Sequence, residues 1–226
     1  MFWRSFSLVW GLCAVSFPAH AYIRTISSTG HPLFWSSPTL LMKTNPLNSS
    51  ALSPDQISSM LSGSFAAWSV SGSRANLSYA QGTSLPAVSQ PDGQNAVYFS
   101  SNGSRDPGWG VVGLTDVFYF VYNGQIADAD MVFNDNQFVF TSSPGTSGQS
   151  INGKTAIYLR DVATHEAGHV LGLDHSLINL SSMIYTAFNG QFSLSNDEKT
   201  AARTLYPRSE EHTSELQSQS TISYAV

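Results

Sequence analysis

The residues most able to do chemistry lie together in one short stretch, HEAGHVLGLDH, from His165 to His175. If this stretch begins on a helix, His165 and His169 project from neighbouring turns and can bind one metal ion. Glu166 lies about 100° further round such a helix, where it can reach a water on that metal without being a ligand itself. Gly172 lets the chain leave the helix, so that His175 can return as a third ligand.

Three imidazoles and one open position are the arrangement of a catalytic zinc site, whereas a structural zinc site is closed by four protein ligands. Zinc lowers the pKa of its water to about 7, and Glu166 can accept the proton as a general base. Two interpretations without catalysis stand beside this one. The histidines could serve only in packing, or the chain could be a descendant that keeps the fold and has lost its metal. The full spacing of the motif argues against chance.

The elements that must position these residues follow from the pattern of the remaining chain. A strand is predicted at Thr39–Thr44, followed by an amphipathic helix with Ser53 as its N-cap and Pro54 at its first position. Short strands are predicted in NLSYA and NAVYFSS, and a β-hairpin around the Asn-Gly pair at 123–124. The segment FVFTSSPGTSGQSINGK is predicted to be a loop, and a second long helix to begin near Thr155. We find no internal repeat and predict one α/β domain.

Composition narrows the class of partner. The chain has 226 residues, of which 42% are hydrophobic and 11% charged, and its formal net charge is −5. No run of basic residues occurs, which argues against nucleic acid and anionic membranes as partners. The single cysteine, Cys13, lies in the leader described next, so the mature chain is predicted to have neither a thiol nor a disulfide.

Both ends of the chain are predicted to lie outside the folded domain. Residues 1–21 combine a basic residue, an apolar run over 6–17 and the small-residue site AHA, as in a secretory signal peptide cleaved near Ala21. The alternative, a membrane helix, needs about 20 apolar residues. Residues 208–226 resemble the in-frame translation of a sequencing-library adapter, so we expect an artefactual tail and a true C-terminus that the sequence does not define.

The zinc-binding stretch resembles the long signature of the metzincin metallopeptidases. The longer stretch LRDVATHEAGHVLGLDHS, with Ser176 after the third histidine, is similar to the matrixin branch, and so is the short gap from His175 to Met183. Met183 would be the family's Met-turn methionine beneath the metal. The segment SLSNDEKTAARTLYP resembles the closing helix of the family. The resemblance covers nearly all of residues 39–207, which would form the catalytic domain after a short N-terminal segment, residues 22–38.

The resemblance implies an α/β (α+β) zincin-like fold. Its sheet would have five twisted, mostly parallel strands with one antiparallel edge strand. Its helices would be one in the N-terminal half, a zinc-binding helix and a C-terminal helix. The implied protein is a secreted zinc endopeptidase, extracellular or periplasmic, that is monomeric and has no membrane anchor.

A polypeptide substrate is implied as well, bound in extended form and antiparallel to the edge strand. That strand would run through residues 111–117, where the substrate-binding residues would be Val112, Gly113, Leu114 and Thr115. Tyr185 and Phe188 would belong to the wall of the side-chain pocket. The depth of that pocket, and with it the cleavage preference, is not set by the sequence.

Two departures from the matrixin pattern concern regulation and additional metals. No cysteine lies in residues 22–38, which excludes latency through a propeptide cysteine on the zinc. Only His31 is spare in the mature chain, so a second, structural zinc is expected to be absent. Calcium stays open, because the oxygen-bearing side chains near the hairpin suit calcium and equally suit turns and caps. They are Asp128, Asp130, Asn134, Asp135 and Asn136, with Asn102 and Asp106 in the preceding loop.

The third departure is the Met-turn, which reads SSMIYTAF. In matrixins a tyrosine usually follows the methionine directly, whereas in the astacin and serralysin branches it comes two residues later, as Tyr185 does here. On that pattern Tyr185 would ligate the zinc or support the transition state. On the matrixin pattern, which Ser176 and the short gap to Met183 favour, Tyr185 is pocket wall alone.

Two rival functions remain open at the level of the sequence. One is a secreted binding module that keeps the fold without turnover, and the other is a zinc hydrolase of non-peptide amides. The retention of Glu166 with all three histidines argues against the first. A casein or gelatin assay discriminates the second.

Overall fold

The computed structural model describes residues 21–44, 51–82, 91–101 and 107–208. The predicted signal peptide apart from Ala21, the tail from residue 209 onward, Asn102 and Asp106 lie outside the described residues. The elements are β1 (Thr39–Thr44), α1 (Pro54–Ala67), β2 (Asn76–Gln81), β3 (Ala96–Phe99), β4 (Gly113–Tyr119), β5 (Ile126–Phe133), β6 (Phe138–Thr141), β7 (Ser150–Ile151), β8 (Lys154–Tyr158), α2 (Leu159–Val170) and α3 (Asn196–Leu205).

The larger sheet has the strand order β2-β1-β3-β5-β4. Strands β1, β2, β3 and β5 are parallel, and β4 pairs antiparallel with β5 at the edge. The predicted five-stranded, mostly parallel sheet with one antiparallel edge strand is therefore confirmed. In the β4–β5 ladder Gly113 lies opposite Phe133 and Thr115 opposite Met131. Within the described residues the outer side of β4 has no strand neighbour.

Helix α1 begins where the sequence predicts. Ser53 is its N-cap and forms a capping box with Gln56, which satisfies free backbone N–H groups at the helix start, and Pro54 occupies the first position. Ile57, Leu61 and other apolar residues on one face are buried in the core between the helices and the sheet. Burial of that face fixes α1 against α2 and the sheet.

Helix α2 begins later than the sequence predicts. Residues 154–158 form strand β8, and the helix starts at Leu159 rather than near Thr155. The predicted loop before it also contains β6 and β7, which flank β8 in a second, three-stranded sheet. Both predictions were wrong because the β6–β8 pairing joins Phe138 to Thr155 across a long turn-rich segment, and such a non-local partner leaves no local signal.

The end of α2 is held by two side chains from distant parts of the sequence. The indole N–H of Trp35 donates to the carbonyl oxygen of Val170 at 2.7 Å, and the Tyr206 hydroxyl donates to that of Leu171 at 2.7 Å. These bonds satisfy carbonyls that have no partner inside the helix. Gly172 then adopts φ +91°, and a Cβ there would lie 2.9 Å from the carbonyl oxygen of Leu33. The chain therefore needs glycine at this point to turn back towards the histidines.

Helix α3 and the residue Arg208 after it make hydrogen bonds that hold both ends of the described chain. Glu198 closes a capping box with Ser195, and Asp197 accepts the backbone N–H groups of Ala21 and Tyr22 at 3.1 and 3.0 Å. Arg208, the first residue of the predicted tail, donates to the backbone of residues 72 and 73. Arg208 is therefore hydrogen bonded to the folded domain, although the sequence assigns it to the artefactual tail.

No helix among the described residues is long and apolar enough to cross a membrane.

Gly168 provides a test of the packing beneath α2. A Cβ at this position would lie 2.2 Å from Met183 Sδ and 2.9 Å from the Trp68 ring. Gly168→Ala should therefore lower the free energy of unfolding by about 1–3 kcal/mol through crowding, although alanine alone favours a helix by roughly 1 kcal/mol. Denaturant unfolding of the metal-free protein measures this. Ala66→Gly, at an exposed position of α1, gives the propensity effect alone. An increase in stability for Gly168→Ala would contradict the packing of Met183 on this helix.

Candidate metal centre

The structure brings the three histidines of the motif together. The potential ligand atoms of His165, His169 and His175 all lie within 4.8 Å of one another, the one such group of histidine, cysteine or acidic side chains found in the described residues. The rings of His165 and His169 are 4.8 Å apart and nearly perpendicular, and that of His175 is 4.8 Å from His169. Helix α2 supplies the first two residues, and the turn after Gly172 supplies the third.

The tautomers of two histidines are fixed by backbone carbonyls. Nδ1 of His165 lies 2.7 Å from the carbonyl oxygen of Ser182, and Nδ1 of His169 lies 2.8 Å from that of Leu173. A carbonyl oxygen can only accept, so each Nδ1 carries a proton, and each Nε2 of the neutral ring presents a lone pair. This is the outer hydrogen bond that metal-binding histidines commonly make.

The distance between the two Nε2 atoms fits a shared metal ion. These atoms are 3.1 Å apart, and when both rings are neutral with their protons on Nδ1, the two Nε2 lone pairs face each other. Two lone pairs at this distance repel each other unless a cation lies between them. Two nitrogens on one tetrahedral zinc are separated by about 3.3 Å, as the Zn–N bond length requires. The donor set therefore fits zinc, the metal that three imidazoles with an open position favour.

Burial favours the ligating, neutral form of two of the three histidines. Desolvation lowers the pKa of His165 to about 3, with the neighbouring His169 adding to the effect. The pKa of His175 is also lowered, again mainly by burial, against a smaller opposing influence of Asp174. Neutral imidazoles are the forms that bind metals, so these two ligands need not lose a proton first near neutral pH.

Glu166 lies beside the histidines and is almost fully buried, with 4% of its surface exposed. Its Oε2 accepts a hydrogen bond from the Thr115 hydroxyl on β4 at 2.6 Å. Burial raises the pKa of the Glu166 carboxyl, while His169 and the Thr115 hydrogen bond act in the opposite direction. A carboxylate with raised proton affinity is a suitable general base.

Met183 is buried against the helix that carries His165 and His169. Its side chain is 2% exposed and packs on α2 at Gly168. Its backbone N–H donates to the Ser181 hydroxyl, and its carbonyl accepts from the Ser176 N–H at 2.8 Å. The Ser181 hydroxyl in turn contacts Glu198 of α3, so the C-terminal helix anchors this turn.

An open cleft of about 850 Å³ runs over the histidines, between β4 and the segment after Met183. All four residues predicted on the edge strand line it: Val112, Gly113, Leu114 and Thr115. Tyr185 lines the opposite wall and is 74% exposed. Phe188 is half-buried and is not among the lining residues of the cleft in the described part of the chain. Of the edge-strand residues, Thr115 is the one hydrogen bonded to Glu166.

Three of the described side chains considered for calcium make hydrogen bonds within the fold. Asp128 accepts the backbone N–H groups of residues 92, 93 and 129, and Asp130 accepts that of Ala96. Asn134 accepts from Gln137 and donates to Val111, while Asp135 is buried beside it. The contacts of Asp128, Asp130 and Asn134 are those of turn and loop caps, the second of the two interpretations left open by the sequence.

Gln191 is a part of the site that the sequence did not reveal. Its buried side chain donates from Nε2 to the carbonyl oxygens of Ser182 and Ile184 at 3.0 and 3.2 Å. Its Oε1 accepts the backbone N–H of Phe188. It thereby joins the carbonyl that orients His165 to the wall of the cleft. A glutamine in a polar loop carries no local signal of such a role.

The family model described as Matrixin, of the M10 peptidases, matches residues 35–207. No curated protein matches the chain.

The geometry of the three histidines predicts one zinc ion per chain. His165→Ala and His169→Ala should each abolish tight zinc binding, measured by metal analysis after dialysis, because two ligands cannot hold the ion against solvent. Removal of zinc with a chelator should lower the melting temperature, since the ion binds the native state. His31→Ala, an exposed histidine outside the cluster, is the matched control and should retain zinc. Full zinc content in the double variant of His165 and His169 would contradict the site.

Proposed function

The chain belongs to the matrixin family of metallopeptidases, and on that premise we propose that it is a secreted zinc endopeptidase that cleaves extended polypeptides. One observation carries the proposal: three converging imidazoles lie next to a buried glutamate in an open cleft beside a sheet edge. Secretion is supported by the leader sequence, and the catalytic domain corresponds to residues 39–207 with the N-terminal segment packed against it.

His165, His169 and His175 would hold the metal. When bound, zinc supplies Lewis acidity at the scissile carbonyl and makes the attacking water more acidic. The Nδ1–H bonds of His165 and His169 to backbone carbonyls keep the rings oriented for this role.

Glu166 would move the proton. Its Oε2 is occupied by the Thr115 hydroxyl, and its Oε1 accepts no hydrogen bond within the described residues. We assign Oε1 as the atom that takes the proton from the attacking water and then gives it to the leaving amide nitrogen. A cation on the adjacent histidines favours the ionised carboxylate, which is the form that accepts a proton.

The edge strand would bind the substrate. Among the described residues the outer side of β4 has no strand neighbour, and Leu114 on this strand is 40% exposed. An extended peptide can continue the sheet there, with main-chain hydrogen bonds that are independent of sequence. Residues 184–187 form the opposite wall, so a substrate side chain would lie between this wall and the strand.

Two other functions are tested by the same assay. A binding module without turnover and a zinc hydrolase of non-peptide amides would both leave casein intact. Chelator-sensitive casein cleavage by the purified chain supports the endopeptidase, whereas zinc binding without cleavage supports one of the two alternatives.

Glu166→Gln tests the general base. Glutamine keeps the shape and an oxygen that can accept from Thr115, but it cannot take a proton. We expect kcat to fall by roughly 10²–10⁴-fold with zinc content unchanged. Kinetics on a fluorogenic peptide and metal analysis measure the two quantities. Near wild-type turnover would mean that another group handles the proton.

Tyr185→Phe tests the role of the tyrosine. Its hydroxyl has no hydrogen-bond partner among the described residues, and a donor that stabilises a transition state must be held in place. We therefore expect kcat within about 2-fold of wild type, whereas Tyr185→Ala should shift the ratio of kcat/KM between two peptides that differ in one side chain. A fall of roughly 10-fold in kcat at constant KM for Tyr185→Phe would instead show a contact made only in the transition state.

A further inference from the structure

We infer that Gly113 and Thr115 of the edge strand position the carboxylate of Glu166, an inference that rests on the proposed peptidase function. Residues two apart on a strand point to the same face. On β4 that face is turned towards α2, where Thr115 donates its hydroxyl hydrogen to Glu166 Oε2 at 2.6 Å. The same hydroxyl lies 3.3 Å from the backbone carbonyl oxygen of Glu166. One side chain of the strand thus contacts both the backbone and the carboxylate of the proposed base.

Gly113 has no side chain and so leaves room for the carboxylate of Glu166. A Cβ at this position would lie 2.7 Å from Glu166 Oε1 and 2.9 Å from Val162 Cγ1. Its φ is not in the left-handed region, so conformation does not require glycine here. The missing side chain makes the room in which Oε1 lies. Glu166 is therefore held from both sides, with Oε2 hydrogen bonded and Oε1 packed against the strand.

This arrangement matters because a glutamate side chain has several rotatable bonds and a general base works only within hydrogen-bond reach of its proton. Displacement of a reacting group by about 1 Å can cost up to 10²-fold in rate. The strand that we propose to bind substrate also fixes the base. Its backbone edge faces the peptide, while its inward side chains face Glu166, so one element sets the distance between the two.

A direct role of Thr115 in substrate binding is the competing explanation. It predicts an increase in KM, because the contact would be lost from the bound substrate. Positioning of Glu166 predicts a lower kcat at nearly constant KM, because substrate still binds but the proton acceptor is displaced.

The experiment uses three substitutions in the purified zinc-loaded chain. Thr115→Val removes the hydroxyl and keeps the shape, Thr115→Ser keeps the hydroxyl, and Gly113→Ala pushes on Oε1. The matched control is Thr44→Val. The buried Thr44 hydroxyl donates to the Val97 carbonyl oxygen at 2.7 Å in the same sheet, outside the cleft.

We expect Thr115→Val and Gly113→Ala to lower kcat by roughly 10-fold or more, with KM within about 2-fold and zinc content unchanged. Thr115→Ser should restore kcat to within about 3-fold of wild type, as a retained hydroxyl hydrogen bond requires. Thr44→Val should lower only the melting temperature. Unchanged kcat in both Thr115→Val and Gly113→Ala, equal losses in the serine and valine variants, or a change confined to KM would overturn the inference.

A second measurement does not use activity. In the zinc-free protein, a double-mutant cycle on the unfolding midpoint combines Thr115→Val with Glu166→Ala. The shift caused by Thr115→Val should fall below about half of its value once Glu166 is removed, because contacting residues are not additive. Additive shifts would overturn the contact even in an inactive preparation. A wild-type chain without peptidase activity, together with a non-additive cycle, would refute the proposed function and leave the positioning contact intact.

Discussion

Two backbone carbonyls determine what the histidine cluster can do. The carbonyl oxygens of Leu173 and Ser182 accept from the Nδ1 atoms of His169 and His165, so that in the neutral rings both Nε2 lone pairs point into the same small volume. Without these acceptors either ring could flip or donate from Nε2, and the pair would form an ordinary hydrogen bond in place of a metal site. The orientation of the rings, as well as their number, makes the cluster suited to hold a cation.

Contacts from distant parts of the sequence hold those two carbonyl groups in place. Leu173 follows the turn at Gly172, which is fixed by the capping of α2 from Trp35 and Tyr206. Ser182 lies in a turn that is held by Gln191 on one side and by the contact of its neighbour Ser181 with α3 on the other. Segments from both ends of the described chain therefore converge on the histidine cluster.

Strand β4, on the other side of the cleft, both contacts Glu166 and has an open edge. Strand β4 is held by β5 along one edge and is open along the other. Its inward residues contact the carboxylate of Glu166. A sheet edge is ordinarily a site of unwanted association. Here it lines the same cleft as the buried Glu166 and the three histidines, so under the proposed function an extended chain that pairs with it would be brought to these groups.

The sequence by itself determined the histidine spacing, the capped start of α1 at Ser53 and the antiparallel edge strand, because each of these depends on local periodicity or on a motif that resembles a known family. The start of α2 was misplaced because Thr155 belongs to a strand whose partner lies far away in sequence. Only the tertiary structure decided the tautomers, the clamp formed by Gln191 and the contact of Thr115 with Glu166. All three are contacts between segments distant in sequence, and a side chain's partner across the fold is set by how helices and strands pack rather than by its neighbours along the chain.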